Sequence, residues 1–274
     1  MSLDPSKVCL YIPPGLKRFK LDLFERIGSK IVAAGGRVVR HKPAELAALP
    51  DAITPIIGCM PDCAPLIKEW QASGRRFIYW DRGYMRRVFA TWLPKGSDMG
   101  IPMGFYRWHI NRFQMGTIAD VPDDRWQALK LEGSVKPWRK SKPSDKIVIA
   151  DTLSDYWVMR GLVGWSQNIA KELKRYTKRP IIIRHKESKV PLDQELADAH
   201  CLVAHGSIAA VESVIMGCPV FVDRSSAAAL VGMTDFARIE NPIYPDRDRW
   251  LRSLSYCQFD ERELTNGVLW SLIT

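Results

Sequence analysis

Apolar residues in this chain gather in short runs, and between the runs they recur at helical spacing. The first run, over 7–12, predicts a strand closed by Pro13-Pro14-Gly15. Leu21, Phe24, Ile27 and Ile31 then lie on one side of a helix over 19–34, which Gly35-Gly36 ends. Strands are predicted over 37–40, 55–58 and 76–80, with a helix over 64–73 stopped by Gly74. Beyond Tyr84, the spacing of Pro94, Gly96, Gly100, Pro102 and Gly104 predicts mostly loop. A second series begins with a strand over 146–150 and a helix over 163–177 carrying Trp165, Ile169 and Leu173. Strands over 180–183, 201–203 and 220–222 follow, with a helix from residue 208 ended by Gly217-Cys218-Pro219. The stretch over 247–273 predicts one or two further helices around Trp250, Leu251 and Leu254 and over 261–272. Strand–helix alternation of this kind implies an α/β fold with parallel sheets in two Rossmann-like domains, over 1–125 and 146–274. The Lys-, Pro- and Ser-containing stretch over 126–145 is the expected linker.

Composition changes this picture in one respect. Hydrophobic content of 46% and charged content of 26% are ordinary, but the formal net charge is +10. That excess suggests a polyanionic partner such as DNA, RNA or an acidic polymer, or else simple solubility and attraction to nucleotide phosphate. No apolar run is long enough to span a bilayer, and the opening MSLDPSK has no signal-peptide pattern. No membrane association and a cytoplasmic location are therefore expected. Among six cysteines only Cys59 and Cys63 are close, and no second pair follows, so no metal site is expected. Walker A, G-x-S-x-G and G-x-G-x-x-G motifs are absent.

Candidate chemistry lies at strand ends, where ligands of such sheets bind. Arg184-His185-Lys186 puts cations after the 180–183 strand, with His185 alternating in direction between them. Ala204-His205-Gly206-Ser207 follows another strand and opens a helix. Gly206 permits close approach of the backbone, and Ser207 can cap the helix or donate to a phosphate oxygen. His205 is either a donor to a phosphate or a structural histidine, and Glu212 lies within reach of ribose hydroxyls. Asp151 and Ser154 can contact donor phosphates or cap the next helix. In the first half, Asp81-Arg82-Gly83-Tyr84 follows an apolar strand at the sheet edge, where Asp81 can act as a general base or cap a turn. Tyr106-Arg107-Trp108-His109-x-Asn111-Arg112 combines stacking surfaces with cations, which suits a nucleic-acid base or a partly buried aromatic cluster.

The stretch from Arg179 to Asp223, with His205, Gly206, Ser207, Glu212, Gly217 and Pro219, resembles the donor-binding domain of GT-B glycosyltransferases and of the epimerases that share their fold. It departs from the most recognisable versions in having Ile208-Ala209 where they have two adjacent glycines. Together with the D-x-G-Y and Y-R-x-x-x-N motifs it is also similar to bacteriophage-encoded DNA-modifying glycosyltransferases. The resemblance implies two domains around a cleft and a nucleotide-sugar donor, with a UDP-sugar expected and no tightly bound cofactor. Asp151, Ser154, Arg184, Lys186, Gly206, Ser207 and Glu212 would hold the donor. Arg82, Tyr84, Arg107, Trp108 and Asn111 would face the acceptor, with Asp81 and His205 as catalytic groups. A hydroxymethylated pyrimidine in phage DNA is the implied acceptor, which would place the protein in the host cytoplasm. A polysaccharide or small-molecule acceptor is the alternative, as is a non-catalytic nucleic-acid-binding protein on a degenerate transferase fold.

Overall fold

A computed structural model describes residues 3–16, 18–58, 61–86 and 104–273, apart from the side chains of Phe19 and Pro61. Cys59 and most of the loop expected beyond Tyr84 lie outside the described residues. The first series runs β1 (Val8–Ile12), α1 (Arg18–Ala33), β2 (Arg37–Arg40), α2 (Ala44–Ala47), β3 (Thr54–Ile57), α3 (Ala64–Ser73), β4 (Ile78–Arg82) and β5 (Tyr106–Ile110). After α4 (Asp124–Ala128), the second runs β6 (Lys146–Ala150), α5 (Ser154–Arg160), α6 (Trp165–Leu173), β7 (Ile181–Arg184), α7 (Leu192–Leu196), β8 (Ala199–Ala204), α8 (Ala209–Ile215) and β9 (Val220–Val222). The chain then forms α9 (Asp248–Tyr256), β10 (Gln258–Phe259), α10 (Glu261–Asn266) and α11 (Val268–Leu272).

The second sheet, ordered β7-β6-β8-β9, is parallel throughout. The first is parallel through β2-β1-β3-β4 and then adds β5 and β10 antiparallel, in the order β10-β5-β4-β3-β1-β2. Side-chain alternation along each strand separates two cores per sheet. In the first sheet, Leu10, Ile12 and Ile56 meet Phe24, Ile27 and Ile31 of α1, while Tyr11, Ile57 and Tyr79 meet Ile67 and Trp70 of α3. In the second, Ile147, Ile149 and Val203 meet Ile169 and Leu173 of α6, while Val148, Leu202 and Val220 meet Val211, Val214 and Leu254. Covered on both faces, β1, β3, β8 and β9 are buried along their whole length, which is why they are mostly apolar, with Thr54 and His200 as buried polar exceptions.

Two expectations about domain organisation are corrected. Of the terminal helices, α9 packs on the second sheet through Trp250, Leu251 and Leu254, but α10 and α11 do not. β10 pairs with β5, Gln258 opposite Arg107 and Phe259 opposite Tyr106, and Leu264, Leu269 and Ile273 join Phe24 and Ile27 in the α1 core. Gln258 Oε1 also accepts from the backbone N–H groups of Tyr84 and Met85, at 2.8 and 2.9 Å. The 126–145 stretch is not a free tether either. It contains the last residues of α4, and its backbone is laid along the second domain by bonds from Lys136 N to Ile215 O and Arg139 N to Gly217 O. Gly217 has φ +76°, and a Cβ there would stand 2.1 Å from the Pro137 carbonyl oxygen, so the turn after α8 requires glycine.

Contacts that fasten the second series to the first include the following. Met159 of α5 is buried among Cys63, Ile67 and Phe113. Arg160 lies over the Phe113 ring at 4.5 Å. Gln114, 3% exposed, donates to the Gly206 carbonyl and accepts from Ala227 N at 2.8 Å.

Candidate active site

The carboxyl ends of β4, β6, β7 and β8 converge on one cleft of about 410 Å³. Asp81, Arg82 and Arg107 line it from the first sheet. Asp151, Arg184, Lys186, Gly206, Ser207 and Glu212 line it from the second. Every one of these residues was singled out on the sequence.

Asp81 lies inside β4 rather than beyond it, and β4 is an inner strand. The antiparallel register sets Asp81 directly opposite Arg107. Its Oδ2 takes Arg107 Nη2 at 2.8 Å and its Oδ1 takes the Arg82 N–H at 2.7 Å. Burial pushes the carboxyl up, but Arg107, the Arg82 N–H, Lys186 and Arg82 outweigh it and hold it below the usual carboxylate range. The side chain keeps 37% of its exposure, so an ionised oxygen remains open to the cleft.

Arg107 is the residue that makes this possible, and its expected contact with an acceptor is corrected. Its Nε donates to Phe113 O at 3.2 Å, Nη1 to Arg82 O and Nη2 to Asp81, and its side chain is 5% exposed. The guanidinium is committed to the protein and positions Asp81. Tyr84, Trp108 and Asn111 are corrected more fully, because none lines the cleft. Tyr84 is fully buried, its hydroxyl accepting from Met115 N and bonded to His109 Nε2. Trp108, 2% exposed, packs between Trp80 and Trp270. Asn111, at φ +55°, exchanges bonds with the Phe77 backbone at the opposite end of β4.

On the second sheet, Ser207 Oγ accepts from Ala209 N at 3.3 Å, which leaves its hydroxyl hydrogen for the cleft. Helix α8 has seven residues and no side-chain cap, and the cations Arg184 and Lys186 line the cleft with its first turn. Arg184 donates from Nη2 to Val190 O at 2.8 Å, while its Nε is buried with no hydrogen-bond partner. Lys186 is exposed and close enough to Asp81 to lower its pKa. Glu212, 3% exposed, enters from α8.

Asp151 lines the cleft, yet its oxygens are saturated by Ser166 Oγ, Trp157 Nε1, Thr152 N and His185 Nδ1 at 2.7–3.0 Å. Burial raises its pKa, and these donors reverse the effect and hold it low. Its role is to fix α5, α6 and the cationic turn, and His185 points to it rather than into a core. Ser154 is exposed at the first position of α5, outside the cleft lining and without a capping bond.

His205 is also corrected. It does not line the cleft but sits behind it, 5% exposed, amid Tyr156, Trp157 and Trp165. Its Nδ1 is bonded to Tyr156 Oη at 3.1 Å. Burial drives its pKa down, Asp223 opposing and Arg160 assisting. Tyr156 is a cleft-lining residue that the sequence reading missed. It lines the cleft, and a Cβ on Gly206 would stand 2.4 Å from its hydroxyl, so Gly206 is glycine to admit Tyr156. Its position two residues after Ser154, at a helix start, was the available signal. Gln114, which grips the Gly206 turn, had none.

His109, His200 and His205 all have lowered pKa values, with burial the main cause. A folded pKa below the unfolded 6.5 means that the unfolded chain binds more protons as pH falls. Stability should therefore decline as pH drops through about 6.5. Thermal midpoints measured from pH 7.5 to 5 should fall, and less steeply in His200→Gln. A flat profile would contradict the neutral assignment of these rings.

The architecture is an α/β fold of GT-B type, two Rossmann-like sheets meeting carboxyl end to carboxyl end across the cleft. Among solved structures, the chain is similar to the β-Kdo 2,7 transferase KpsC of Thermosulfurimonas dismutans. That likeness covers 96% of this chain and 99% of the other, with 9% identity and a TM-score of 0.52. A looser likeness, to the β-Kdo 2,4 transferase KpsC of the same organism, covers 96% and 98% with 12% identity and a TM-score of 0.49. No family model and no curated protein matches the chain. Among the described residues no helix is long and apolar enough to cross a membrane, and no cluster of three His, Cys, Asp or Glu could hold a metal ion.

Proposed function

We propose that the protein is a glycosyltransferase that uses a nucleotide-sugar donor. The observation that carries this reading is the opposition, across one cleft, of the Asp81 carboxylate to Arg184, Lys186, Ser207 and Glu212. In the transfer, an acceptor hydroxyl oxygen attacks the anomeric carbon as the bond from that carbon to the donor phosphate oxygen breaks. The hydroxyl proton passes to Asp81. A carboxylate of low pKa is a weak base, so it takes the proton late, once attack has acidified the hydroxyl. Arg184, Lys186 and the Ser207 hydroxyl meet the charge that develops on the leaving phosphate. Glu212 accepts from the ribose hydroxyls, and a UDP-sugar is the first donor to test.

The DNA acceptor loses one of its two supports. Its stacking platform was the segment from Tyr106 to Arg112, and the Tyr106 and Trp108 side chains are buried. Only the net charge of +10 still favours it. A carbohydrate or small-molecule acceptor fits the cleft better. A steep fall of DNA affinity with salt would restore the DNA reading, and its absence would remove it.

Glu212→Ala, with Glu212→Gln beside it, should weaken the binding of the preferred nucleotide sugar by about 10–100-fold, the value of a hydrogen bond to a charged group. The check is a thermal-shift titration against UDP-, GDP-, ADP- and CMP-activated sugars. Unchanged affinity for all of them would refute the donor assignment. DNA binding with no nucleotide-sugar binding would instead favour a non-catalytic protein on this fold.

A further inference from the structure

Helix α5 brings the Tyr156 side chain to the cleft, and its hydroxyl stands beside the Gly206 turn, where a Cβ would lie 2.4 Å from Oη. The ring neighbours those of Trp157 and His205, at 5.3 and 6.0 Å between centroids. It also packs against the core in which Met159 meets Phe113 and Tyr79 of the first sheet. Arg107, which positions Asp81, interacts electrostatically with the Tyr156 hydroxyl. The hydroxyl thus neighbours both the turn assigned to the leaving phosphate and the pair assigned to the acceptor hydroxyl. The part of the substrates that neighbours both is the sugar being transferred.

The group behind Tyr156 decides which end of a hydrogen bond it offers. His205 Nδ1 is 3.1 Å from the Tyr156 oxygen, and His205 Nε2 is 3.8 Å from Asp223 Oδ1. Burial raises the Asp223 pKa, but bonds from the Ser225 hydroxyl and N–H, at 2.6 and 2.9 Å, together with His205 and Arg160, hold it low. A neutral imidazole carries one proton, and a bare Nε2 lone pair facing a carboxylate would be repelled, so the proton sits on Nε2. Nδ1 is then an acceptor, and Tyr156 donates its O–H to it. With its proton committed, the Tyr156 oxygen offers lone pairs only. Such an oxygen repels phosphate and attracts a hydroxyl hydrogen.

We infer that Tyr156 selects the sugar: its oxygen accepts a hydrogen bond from a hydroxyl of the transferred sugar, and His205 and Asp223 are positioning residues that keep it an acceptor. The inference rests on the transferase reading of the cleft and extends it to the donor's sugar. A site built to pair with a substrate hydroxyl discriminates against an analogue that lacks it, because the protein group is then left unpaired. The inference also gives two neighbours of Tyr156 a shared purpose. Gly206 admits the hydroxyl to the cleft, and His205 turns its proton away from it.

Tyr156→Phe keeps the ring and removes only the oxygen. Calorimetric titrations of the whole protein, wild type and variant, use nucleotide sugars paired with their bare nucleotides: UDP-glucose with UDP, GDP-mannose with GDP, ADP-glucose with ADP, and CMP-N-acetylneuraminate with CMP. For the pair that the wild type binds best, the variant should bind the nucleotide sugar about 3–10-fold more weakly and the bare nucleotide equally well. Equal loss for both would put Tyr156 on the phosphate and overturn the inference, as would no loss for either. In protein labelled with 15N-histidine, the ring whose Nδ1 signal shifts in Tyr156→Phe should carry its proton on Nε2. The opposite tautomer, or no shifting ring, also overturns it. If the wild type binds no nucleotide and no nucleotide sugar, the transferase reading fails and this inference with it. That outcome is distinct from nucleotide-sugar binding that Tyr156→Phe leaves unchanged, which removes Tyr156 alone.

Discussion

Arg107→Ala is expected to destabilise the protein by about 3–5 kcal/mol, the range for breaking a buried ion pair from one side. The guanidinium is 5% exposed and serves the Phe113 and Arg82 carbonyls together with Asp81. Its removal takes a donor from two backbone carbonyls and leaves the carboxylate with the Arg82 N–H and the Tyr79 hydroxyl. Because Asp81 stays 37% exposed, water softens the loss at that end and the lower part of the range applies. Arg107→Lys returns the charge but not the planar fork, so it should recover only part. Asp81→Ala combined with Arg107→Ala should be less destabilised than Arg107→Ala alone, since no bare carboxylate remains. Urea unfolding measures all three. If Arg107→Ala lies within about 1 kcal/mol of wild type, Arg107 is not the support of the site.

Lys186→Ala should act on chemistry rather than on folding. The side chain is exposed, so its truncation should leave the thermal midpoint nearly unchanged. If it stabilises the leaving phosphate, kcat should fall by about 10²–10³. A second signature follows from its place opposite Asp81. Lys186 helps to keep the Asp81 pKa low, so without it that pKa rises. Asp81 must be ionised to take a proton, and the acidic limb of the pH–rate profile should move to higher pH in the variant. Turnover equal to wild type would exclude Lys186 from the leaving-group site. Reduced turnover with an unmoved limb would separate Lys186 from Asp81.

The elements that were legible in the sequence are those fixed by local signals. The strands 146–150 and 220–222 and the helix 64–73 coincide with β6, β9 and α3, because an apolar run with a Gly or Pro stop is complete within itself. What depended on pairing across the chain was not legible. Asp81 and Arg107 were each singled out, but their opposition is a matter of register between β4 and β5. The alternation Tyr106-Arg107-Trp108-His109-Ile110 marks a strand. Its cations suggested a surface, whereas in the structure Arg107 and His109 are buried and bonded within the protein. Composition cannot tell a cation that awaits a phosphate from one that has found carbonyl oxygens. His205 illustrates the converse: a polar residue at the right strand end, turned by three aromatic rings to the rear of the turn it belongs to.

The pairing of β10 with β5 also sets an order of events during synthesis. Residues 258–259 leave the ribosome long after residues 106–110, by roughly 7–30 s at about 5–20 residues per second. For that interval Trp108 lacks its Trp270 neighbour, and the edge of β5 is unpaired. The second series, made in between, has all four of its strands on hand and can close first. The amino-terminal half thus waits for the carboxyl-terminal one, and a nascent chain stalled in α9 would expose a template for aggregation.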